Sequence, residues 1–335
     1  MIKKCSIKKL ASALVLTGSI AATFTMAPLA HADWKGWNVH PAGYPVTVGI
    51  ESFMKHVEKA TDGRVSGRVY NGGILGDQND AIQMLQVNGI QFAEFNLGPI
   101  GTMVPEVNVV SLPFIFKNES HMHRVMDGPV GKELSKAMAK QGIIALAWYD
   151  SGSGSRSFYN TKHPITKPAD MKGMKFRIMN NELYVDMVKE LGGNATPMAY
   201  SEVYQALKTG VVDGAENNWP SYDSSNHYEV AKYYSLTQHL ILPEVLAVSK
   251  AAWNSLSPAD QKAVRKAAQD SAVLERKLWA ERVQESRAKL LKAGVIVNEI
   301  KDKAAFQAKM KPVYAEAEKA TPALIPLIKQ IQETP

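Results

Sequence analysis

One long stretch without glycine or proline begins after Ser257-Pro258 and continues to Ala293. Ser257 and Asp260 resemble a capping box, so the stretch predicts a single helix. At a rise of 1.5 Å per residue the helix is about 50 Å long, which is more than one lobe of ordinary size needs. Taken alone, the stretch is also compatible with a coiled coil, although its apolar positions hold no heptad register. We therefore expect a helix that lies across two lobes.

The N-terminal half repeats the order strand, polar loop, helix. Strands are predicted at Arg64–Tyr70 and Gln91–Asn96, and Asp77 is placed to cap the helix that lies between them. This rhythm is typical of an open α/β sheet, which binds ligands beyond the carboxyl ends of its strands. A chain of 335 residues with 45% hydrophobic composition can bury the cores of two such lobes.

The first 32 residues have the pattern of a secretory signal peptide. Four lysines precede an apolar run from Leu10 to about Leu29, and the run ends at Ala30-His31-Ala32. An uncleaved membrane anchor is the alternative, but Thr, Ser and Pro residues interrupt the apolar run. We expect cleavage before Asp33 and a periplasmic protein. The only cysteine, Cys5, would leave with the signal, so no disulfide is predicted.

The charge and apolar patterns of the mature chain indicate neither a nucleic-acid partner nor a membrane-spanning segment. The formal charge of +7 includes the four leader lysines and no leader acid, so the mature chain carries 7 − 4 = +3. The sequence has no Lys/Arg run typical of a nucleic-acid surface and no second apolar stretch of membrane-spanning length.

Two arginines stand out because each lies in a short β-type run. Arg156 belongs to S-R-S-F-Y-N, and Arg177 lies among Phe176, Ile178 and Met179. A buried guanidinium needs an anionic partner. A ligand carboxylate would supply one, and a structural Asp or Glu is the alternative for either arginine.

The stretch around these arginines resembles the solute receptors of tripartite ATP-independent periplasmic (TRAP) transporters. The resemblance rests on R-S-F-Y-N, A-D-M-K-G-M-K-F-R-I, T-P-M-A-Y-S-E-V-Y-Q-A-L-K-T-G-V-V-D-G-A-E-N and Y-Y-S-L-T-Q-H, in this order. It implies a two-lobed α/β periplasmic binding protein with open mixed sheets, hinge crossings near residues 153 and 241, and a long helix spanning both lobes. The expected division is 1–32 signal peptide, 33–153 and 242–282 lobe I, and 154–241 and 283–335 lobe II.

The resemblance also implies a set of ligand-binding residues. Arg177 would make the principal carboxylate salt bridge, Arg156 would assist, and Asn217 would support the ligand or the first arginine. Asn218 occupies a position that varies in the family and is a candidate for selectivity. The remaining expected contacts are His40, Gln78, Asn96, Asn180 and Tyr200.

Several local expectations accompany this site. Asn180 is expected to cap the helix that follows it, and a strand at Val211–Asp213 to deliver Asn217 to the cavity. The aromatic side chains that can stack on a sugar or simply pack in the core are Trp37, Tyr44 and Trp219.

The resemblance implies membrane permease subunits as partners, to which the receptor hands its ligand after hinge closure. No cofactor and no metal are expected, and the receptor is expected to be a monomer.

A secreted enzyme acting on an acidic sugar is the alternative function. The sequence has no G-x-S-x-G elbow, and H-M-H at His121–His123 has no H-E-x-x-H or cysteine partner nearby. Asp213 and Glu216 are a possible acid pair, but they follow a strand, where Asp commonly caps turns. We therefore predict a receptor and no enzymatic activity.

The expected cavity lining predicts the class of acid. Beyond the arginines, the expected residues are neutral amide, imidazole and phenol groups, which suit a ligand with one carboxylate and several hydroxyls. The segments W-N-V-H-P-A-G-Y-P and L-G-D-Q resemble those of family members that take hexuronic acids. We predict D-glucuronate or D-galacturonate ahead of sialic acid, C4-dicarboxylates and aromatic acids.

Overall fold

The alternating strands and helices assemble into two separate sheets, of five and six strands. The computed structural model describes residues 32–150 and 155–335. Residues 1–31 of the predicted signal peptide, and residues 151–154 of the first predicted crossing, lie outside the described residues.

The strands are β1 (Ala32–Trp37), β2 (Val65–Tyr70), β3 (Phe92–Asn96), β4 (Ile143–Tyr149), β5 (Arg156–Asn160), β6 (Lys175–Ile178), β7 (Asn194–Pro197), β8 (Gly214–Asn217), β9 (Tyr233–Leu240), β10 (Glu244–Ser249) and β11 (Ile296–Glu299). The α-helices are α1 (Pro45–Ala60), α2 (Gln78–Gln86), α3 (Leu97–Ile100), α4 (Glu119–Met126), α5 (Pro129–Lys140), α6 (Glu182–Glu190), α7 (Val203–Thr209), α8 (Trp219–Ser224), α9 (His227–Val230), α10 (Lys250–Ser255), α11 (Pro258–Lys292), α12 (Lys303–Lys309), α13 (Lys311–Ala320) and α14 (Leu324–Glu333). Short 3₁₀ helices occur at Pro105–Ser111, Pro168–Met171 and Tyr200–Glu202.

Both sheets are mixed, as predicted. The first sheet has the order β2-β1-β3-β10-β4, in which β1 is parallel to β2 and β3 while β10 is antiparallel to β3 and β4. The second has the order β11-β9-β5-β8-β6-β7. The chain passes from the first sheet to the second between β4 and β5, and returns between β9 and β10, near the two predicted crossings.

The helix capped by Asp77 shows how local sequence fixes an element. Asp77 Oδ1 accepts hydrogen bonds from the backbone N–H groups of Asn79 and Asp80, at 2.8 and 3.1 Å. Asp80 Oδ2 accepts one from the Asp77 N–H in return. This capping box satisfies donors that an α-helix cannot pair internally, so α2 begins at Gln78, and that side chain lies at the carboxyl end of β3, next to Asn96.

The long helix is present as a single α11 of 35 residues. Its cap is Ser257, whose Oγ accepts from the Asp260 N–H at 3.1 Å. The helix packs on α1 and β4, which belong to the first sheet's side, and on α8, which follows a strand of the second sheet. The predicted helix across both lobes is thereby confirmed.

Two local predictions were wrong. The helix after β6 is capped by Asn181, whose Oδ1 accepts from the Leu183 N–H, because the helix begins one residue later than expected. The strand expected at Val211–Asp213 is β8, three to four residues further on. Val211 instead lies in the turn after Gly210, where a backbone φ of +75° favours glycine, and it is 53% exposed.

The C-terminal helices contact both sides of the molecule. Helix α13 packs against α6, whereas α14 packs against α5 and the 3₁₀ helix Pro105–Ser111. The assignment of 283–335 to lobe II alone, like the remaining lobe boundaries, stays a prediction. In the part of the chain that the structure describes, no helix combines the length and the apolar character that crossing a membrane requires.

Candidate functional site

A cavity of about 860 Å³ is lined by strand ends and following loops of both sheets. All nine residues expected to contact a ligand line it, although they come from positions up to 178 residues apart in the sequence. They are His40, Gln78, Asn96, Arg156, Arg177, Asn180, Tyr200, Asn217 and Asn218. The structure brings these side chains together; their contact with a ligand stays a prediction.

Arg177 lies on β6 and is buried, with 4% of its surface exposed. Its Nε and Nη2 donate to the carbonyl oxygen of Met198 at 3.0 and 2.8 Å. The Tyr200 ring lies 5.9 Å from its guanidinium carbon. Among the described residues no carboxylate lies within ion-pair distance of Arg177. Burial lowers the pKa of this guanidinium, and the attraction of Glu216 offsets this only in part.

Arg156 differs, because it has an acidic partner. Its Nε and Nη2 donate to Glu216 Oε2 and Oε1 at 2.6 and 2.8 Å, and Nη2 also donates to the Glu216 carbonyl oxygen. Burial raises the pKa of Glu216, but the charge and hydrogen bonds of Arg156, together with the neighbouring His239, outweigh it and hold the pKa at about 2. Pairing with a structural acid, one of the two alternatives predicted for Arg156, is therefore present. Arg156 also lines the cavity.

Asn217 and Asn218 stand where β8 turns into α8. The Asn217 carbonyl accepts from the Tyr234 hydroxyl at 2.9 Å, and its Oδ1 accepts from the Asn218 N–H at 2.9 Å. Asn218 Oδ1 caps α8 by accepting from the Ser221 N–H. These bonds fix the two side chains at the cavity wall and occupy their oxygens with structural contacts.

The first-sheet side of the cavity carries more hydrogen-bonding groups. Gln78 Nε2 donates to the Asn96 carbonyl at 2.9 Å, and Asn96 Oδ1 accepts from the Gly98 N–H at 3.0 Å. His40 stacks on Tyr44 with ring centroids 3.9 Å apart, and its buried Nδ1 has no hydrogen-bond partner among the described residues. Burial, helped by the charge of Arg156, lowers the pKa of His40 to about 3, so the ring is neutral.

Tyr200 links its own turn to helix α8 and the residue that follows it. Its hydroxyl donates to the Ser221 carbonyl at 3.2 Å and contacts the Ser225 hydroxyl. It belongs to a 3₁₀ turn that precedes α7. Asn180 lines the cavity just before the N-cap of α6.

The aromatic residues considered for sugar stacking pack inside the protein. Trp37 is fully buried beside Phe95, and Trp219 stacks on Tyr234 at 4.1 Å. Tyr44 is 3% exposed beneath His40. None of the three is among the residues that line the cavity, so the packing alternative describes them.

Two buried glutamates in the cavity were missed. Glu94 and Glu244 line it and are 1% and 4% exposed. Each interrupts an apolar run, F-A-E-F and L-P-E-V-L. The rule that singled out Arg177, a charged residue within a buried strand, would have identified both. The expectation that the lining beyond the arginines is neutral was therefore wrong.

Asp213 and Glu216, the acid pair considered for catalysis, each bind another group of the protein. Asp213 Oδ2 accepts from the Lys175 N–H at 2.9 Å, and Glu216 binds Arg156. Neither lines the cavity. Both acids have structural roles, as the capping interpretation of D-G-A-E anticipated for Asp213.

A separate cluster has the donor types of a metal site. Glu119, His123 and Asp150 each offer one ligand atom, and these atoms lie within 4.8 Å of one another. His123 Nε2 lies 3.2 Å from Asp150 Oδ2, an ordinary contact between a histidine and a carboxylate. None of the three lines the cavity, and no sequence pattern predicts the cluster, because Asp150 follows His123 by 27 positions.

Glu275 is a buried acid on α11 whose ionisation should affect the stability of the protein. It is fully buried, and its Oε2 accepts from the Asp150 N–H at 2.9 Å. Burial raises its pKa well above the usual 4.5, and the negative charges of Asp150 and Glu244 raise it further. Stability from its protonated form is fully present below pH 4.5 and is lost as pH rises through the raised pKa.

We therefore expect Glu275→Gln to become more stable than the wild type as pH rises, because glutamine does not titrate. Each unit of pKa shift corresponds to about 1.4 kcal/mol. Melting temperatures of both proteins from about pH 4 to about pH 8 measure the effect. Glu285→Gln, at an exposed position of the same helix, is the control. A melting-temperature difference that is independent of pH would contradict the expectation.

Comparison with known protein families gives one match that covers most of the chain. The family DctP, described as "Bacterial extracellular solute-binding protein, family 7", matches residues 37–320. A solute-binding protein of Chromohalobacter salexigens is 53% identical over 333 residues, covering 99% of this chain and 97% of that protein.

Solved structures agree in fold. A TRAP periplasmic solute-binding protein from Roseobacter denitrificans, crystallised with bound β-D-glucuronate, is 54% identical, with a TM-score of 0.89, and the match covers 90% of this chain and all of that one. Another from Sulfitobacter sp. NAS-14.1, with bound β-D-galacturonate, is 52% identical, with a TM-score of 0.87, over 89% of this chain and 99% of the other.

Proposed function

The chain belongs to the DctP family of bacterial extracellular solute-binding proteins, and from this premise we propose that it is the hexuronate receptor of a TRAP transporter. In this proposal it binds D-glucuronate or D-galacturonate in the cavity and delivers it to membrane permease subunits. It acts in the periplasm, as a monomer, after removal of its signal peptide.

The observation that carries the proposal is the environment of Arg177. A buried guanidinium without a carboxylate partner among the described residues is costly, and a ligand carboxylate offsets that cost. Because the planar fork of arginine matches the two oxygens of a carboxylate, Arg177 is assigned the principal ion pair with the uronate. Arg156, held by Glu216, is assigned an auxiliary contact.

The remaining lining supports a sugar acid. Amide groups such as those of Gln78, Asn96 and Asn180 donate and accept hydrogen bonds, as hydroxyl groups require. No lysine is among the residues that line the cavity, and its arginines are Arg156 and Arg177. Since the former is already paired, the described lining holds one cation for one ligand carboxylate. A C4-dicarboxylate would need a second.

The identity of the ligand is also supported by relatives. Receptors that are 54% and 52% identical to this chain bind β-D-glucuronate and β-D-galacturonate in their crystal structures. Sialic acid, C4-dicarboxylates and aromatic acids are the other ligands that the proposal ranks below the uronates.

A thermal-shift screen of organic acids tests the ligand. We expect both uronates to stabilise the mature chain, because a ligand at about 100 times its dissociation constant adds about 2.7 kcal/mol. Succinate and benzoate are the matched negative probes. If one of these stabilises the protein and both uronates leave the melting temperature unchanged, the receptor has another ligand.

Glu94 and Glu244 place two buried carboxyl groups in the cavity, and a glycosidase also uses two carboxyl groups. Glycosidases keep their two carboxyl groups about 5 Å or more apart, with the scissile bond between them. Glu94 and Glu244 are held on neighbouring strands, offset by two residues, and their charges act on each other. NMR of the uronate with stoichiometric protein provides the check, and product beyond one equivalent would overturn the receptor proposal.

A further inference from the structure

A pair of carboxyl groups lies on the first-sheet side of the cavity. Glu94 is on β3, and Glu244 begins the neighbouring antiparallel strand β10. In the ladder Glu94 pairs with Leu246 and Glu244 pairs with Asn96, so the two glutamates are offset by two residues. Side chains in this diagonal relation share one face of a sheet. Arg156 and Arg177, by contrast, come from the second sheet.

Each glutamate of the pair lies near the side-chain amide of an asparagine. Glu94 Oε2 accepts from Asn38 Nδ2 at 2.7 Å, and Asn96 Nδ2 lies 3.4 Å from Glu244 Oε1. Glu94 Oε1 is buried, and among the described residues no hydrogen-bond donor to it is found. Burial raises the pKa of Glu94, and the charge and hydrogen bond of Glu244 raise it further. A buried oxygen without a donor, such as Glu94 Oε1, is stabilised when a ligand donates a hydrogen bond to it.

The chemistry of the pair favours one kind of group. A hydroxyl donates a hydrogen bond to a carboxylate, and such charge-assisted bonds are stronger than neutral ones. A ligand carboxylate has no proton to donate at neutral pH, and its charge is repelled by a neighbouring carboxylate. Two carboxyl groups on adjacent strands can serve two neighbouring hydroxyls of one sugar ring.

We propose that Glu94 and Glu244 bind hydroxyl groups of the sugar and exclude a second carboxylate from their end of the cavity. The inference rests on the proposed function and adds its specificity: a ligand must be acidic at the arginine end and neutral but rich in hydroxyls at the glutamate end. Discrimination against dicarboxylates then comes from an active repulsion, in addition to the single available cation.

The test compares D-glucuronate with D-glucarate, which carries a carboxylate at each end of the same six-carbon chain. Titration calorimetry on the mature chain measures both ligands for the wild type, Glu94→Gln, Glu244→Gln and the double variant. We expect each single change to weaken D-glucuronate binding about fivefold to tenfold, because glutamine keeps an acceptor but loses its charge. The double variant should bind D-glucarate more tightly than the wild type does.

Glu285→Gln is the control, because it neutralises an acid that is exposed on α11 and lies outside the cavity lining. It should leave the D-glucuronate affinity within about twofold, and circular dichroism should show that all variants are folded. An equal loss of affinity in this control, or unchanged affinity and D-glucarate selectivity in the cavity variants, would overturn the inference. If the wild type binds no uronate at all, the proposed function itself fails, which is a different outcome.

Discussion

Arg177→Lys is expected to weaken uronate binding by about 2 to 4 kcal/mol while the protein keeps its fold. The arginine fork can give a carboxylate two parallel hydrogen bonds, and charge-assisted bonds contribute about 1.5 to 3 kcal/mol each. Lysine keeps the charge but is a single point donor. In the structure the Met198 carbonyl already holds Nε and Nη2, which orients the rest of the guanidinium. Lysine cannot reproduce this two-bond anchor.

Titration calorimetry with D-glucuronate measures the change, and circular dichroism reports the fold. Arg287→Lys, at an exposed position of α11, is the matched control and should bind as the wild type does. An affinity of Arg177→Lys equal to that of the wild type would move the carboxylate site elsewhere in the cavity, and Arg156 would be the next residue to test.

Glu216→Gln should lower the free energy of unfolding by about 3 to 5 kcal/mol at neutral pH, because it leaves the buried Arg156 without its counter-charge. Both side chains are nearly inaccessible, at 4% and 2% exposure, so water cannot replace the lost carboxylate. Equilibrium urea unfolding of the unliganded protein measures the loss. The double variant Arg156→Met, Glu216→Met removes both charges and should recover much of the stability.

The same pair predicts a pH dependence. The pKa of Glu216 is lowered to about 2 in the folded protein, so the stability it contributes is present above its unfolded pKa of about 4.5 and is lost as pH falls towards 2. The difference between the wild type and Glu216→Gln should therefore shrink over this range. If the difference in unfolding free energy between the two proteins stays constant down to pH 2, the ion pair is not the source of that difference.

The elements that the sequence predicted well are those whose signals are local. Helix α11 follows from one cap at Ser257 and an uninterrupted run of helix-compatible residues, and α2 follows from Asp77 and Asp80. The errors at Asn180 and Val211–Asp213 are shifts of one to four residues, because neighbouring asparagines compete for one cap and a glycine turn displaced the strand.

The pairing of charged residues in the site cannot be predicted from local sequence patterns. Arg156 and Arg177 carry the same sequence signal, a cation in an apolar strand. They differ because antiparallel β5 and β8 bring Glu216 to Arg156 across 60 residues, and this register cannot be read from either segment alone. Glu94 and Glu244 are 150 positions apart, so their pairing likewise depends on the order of strands in the first sheet.

The position of β10 has a consequence for how the chain is made. This strand is inserted between β3 and β4, and in the described sheet β4 has no other neighbour. During synthesis from the N-terminus, residues 32–150 therefore emerge with two strand edges that wait for Glu244–Ser249, about a hundred residues later. Such long-range pairing folds slowly, and its unpaired edges can join other chains. The first lobe is therefore not an autonomous folding unit, and it is completed only after the whole second sheet except β11 has been translated.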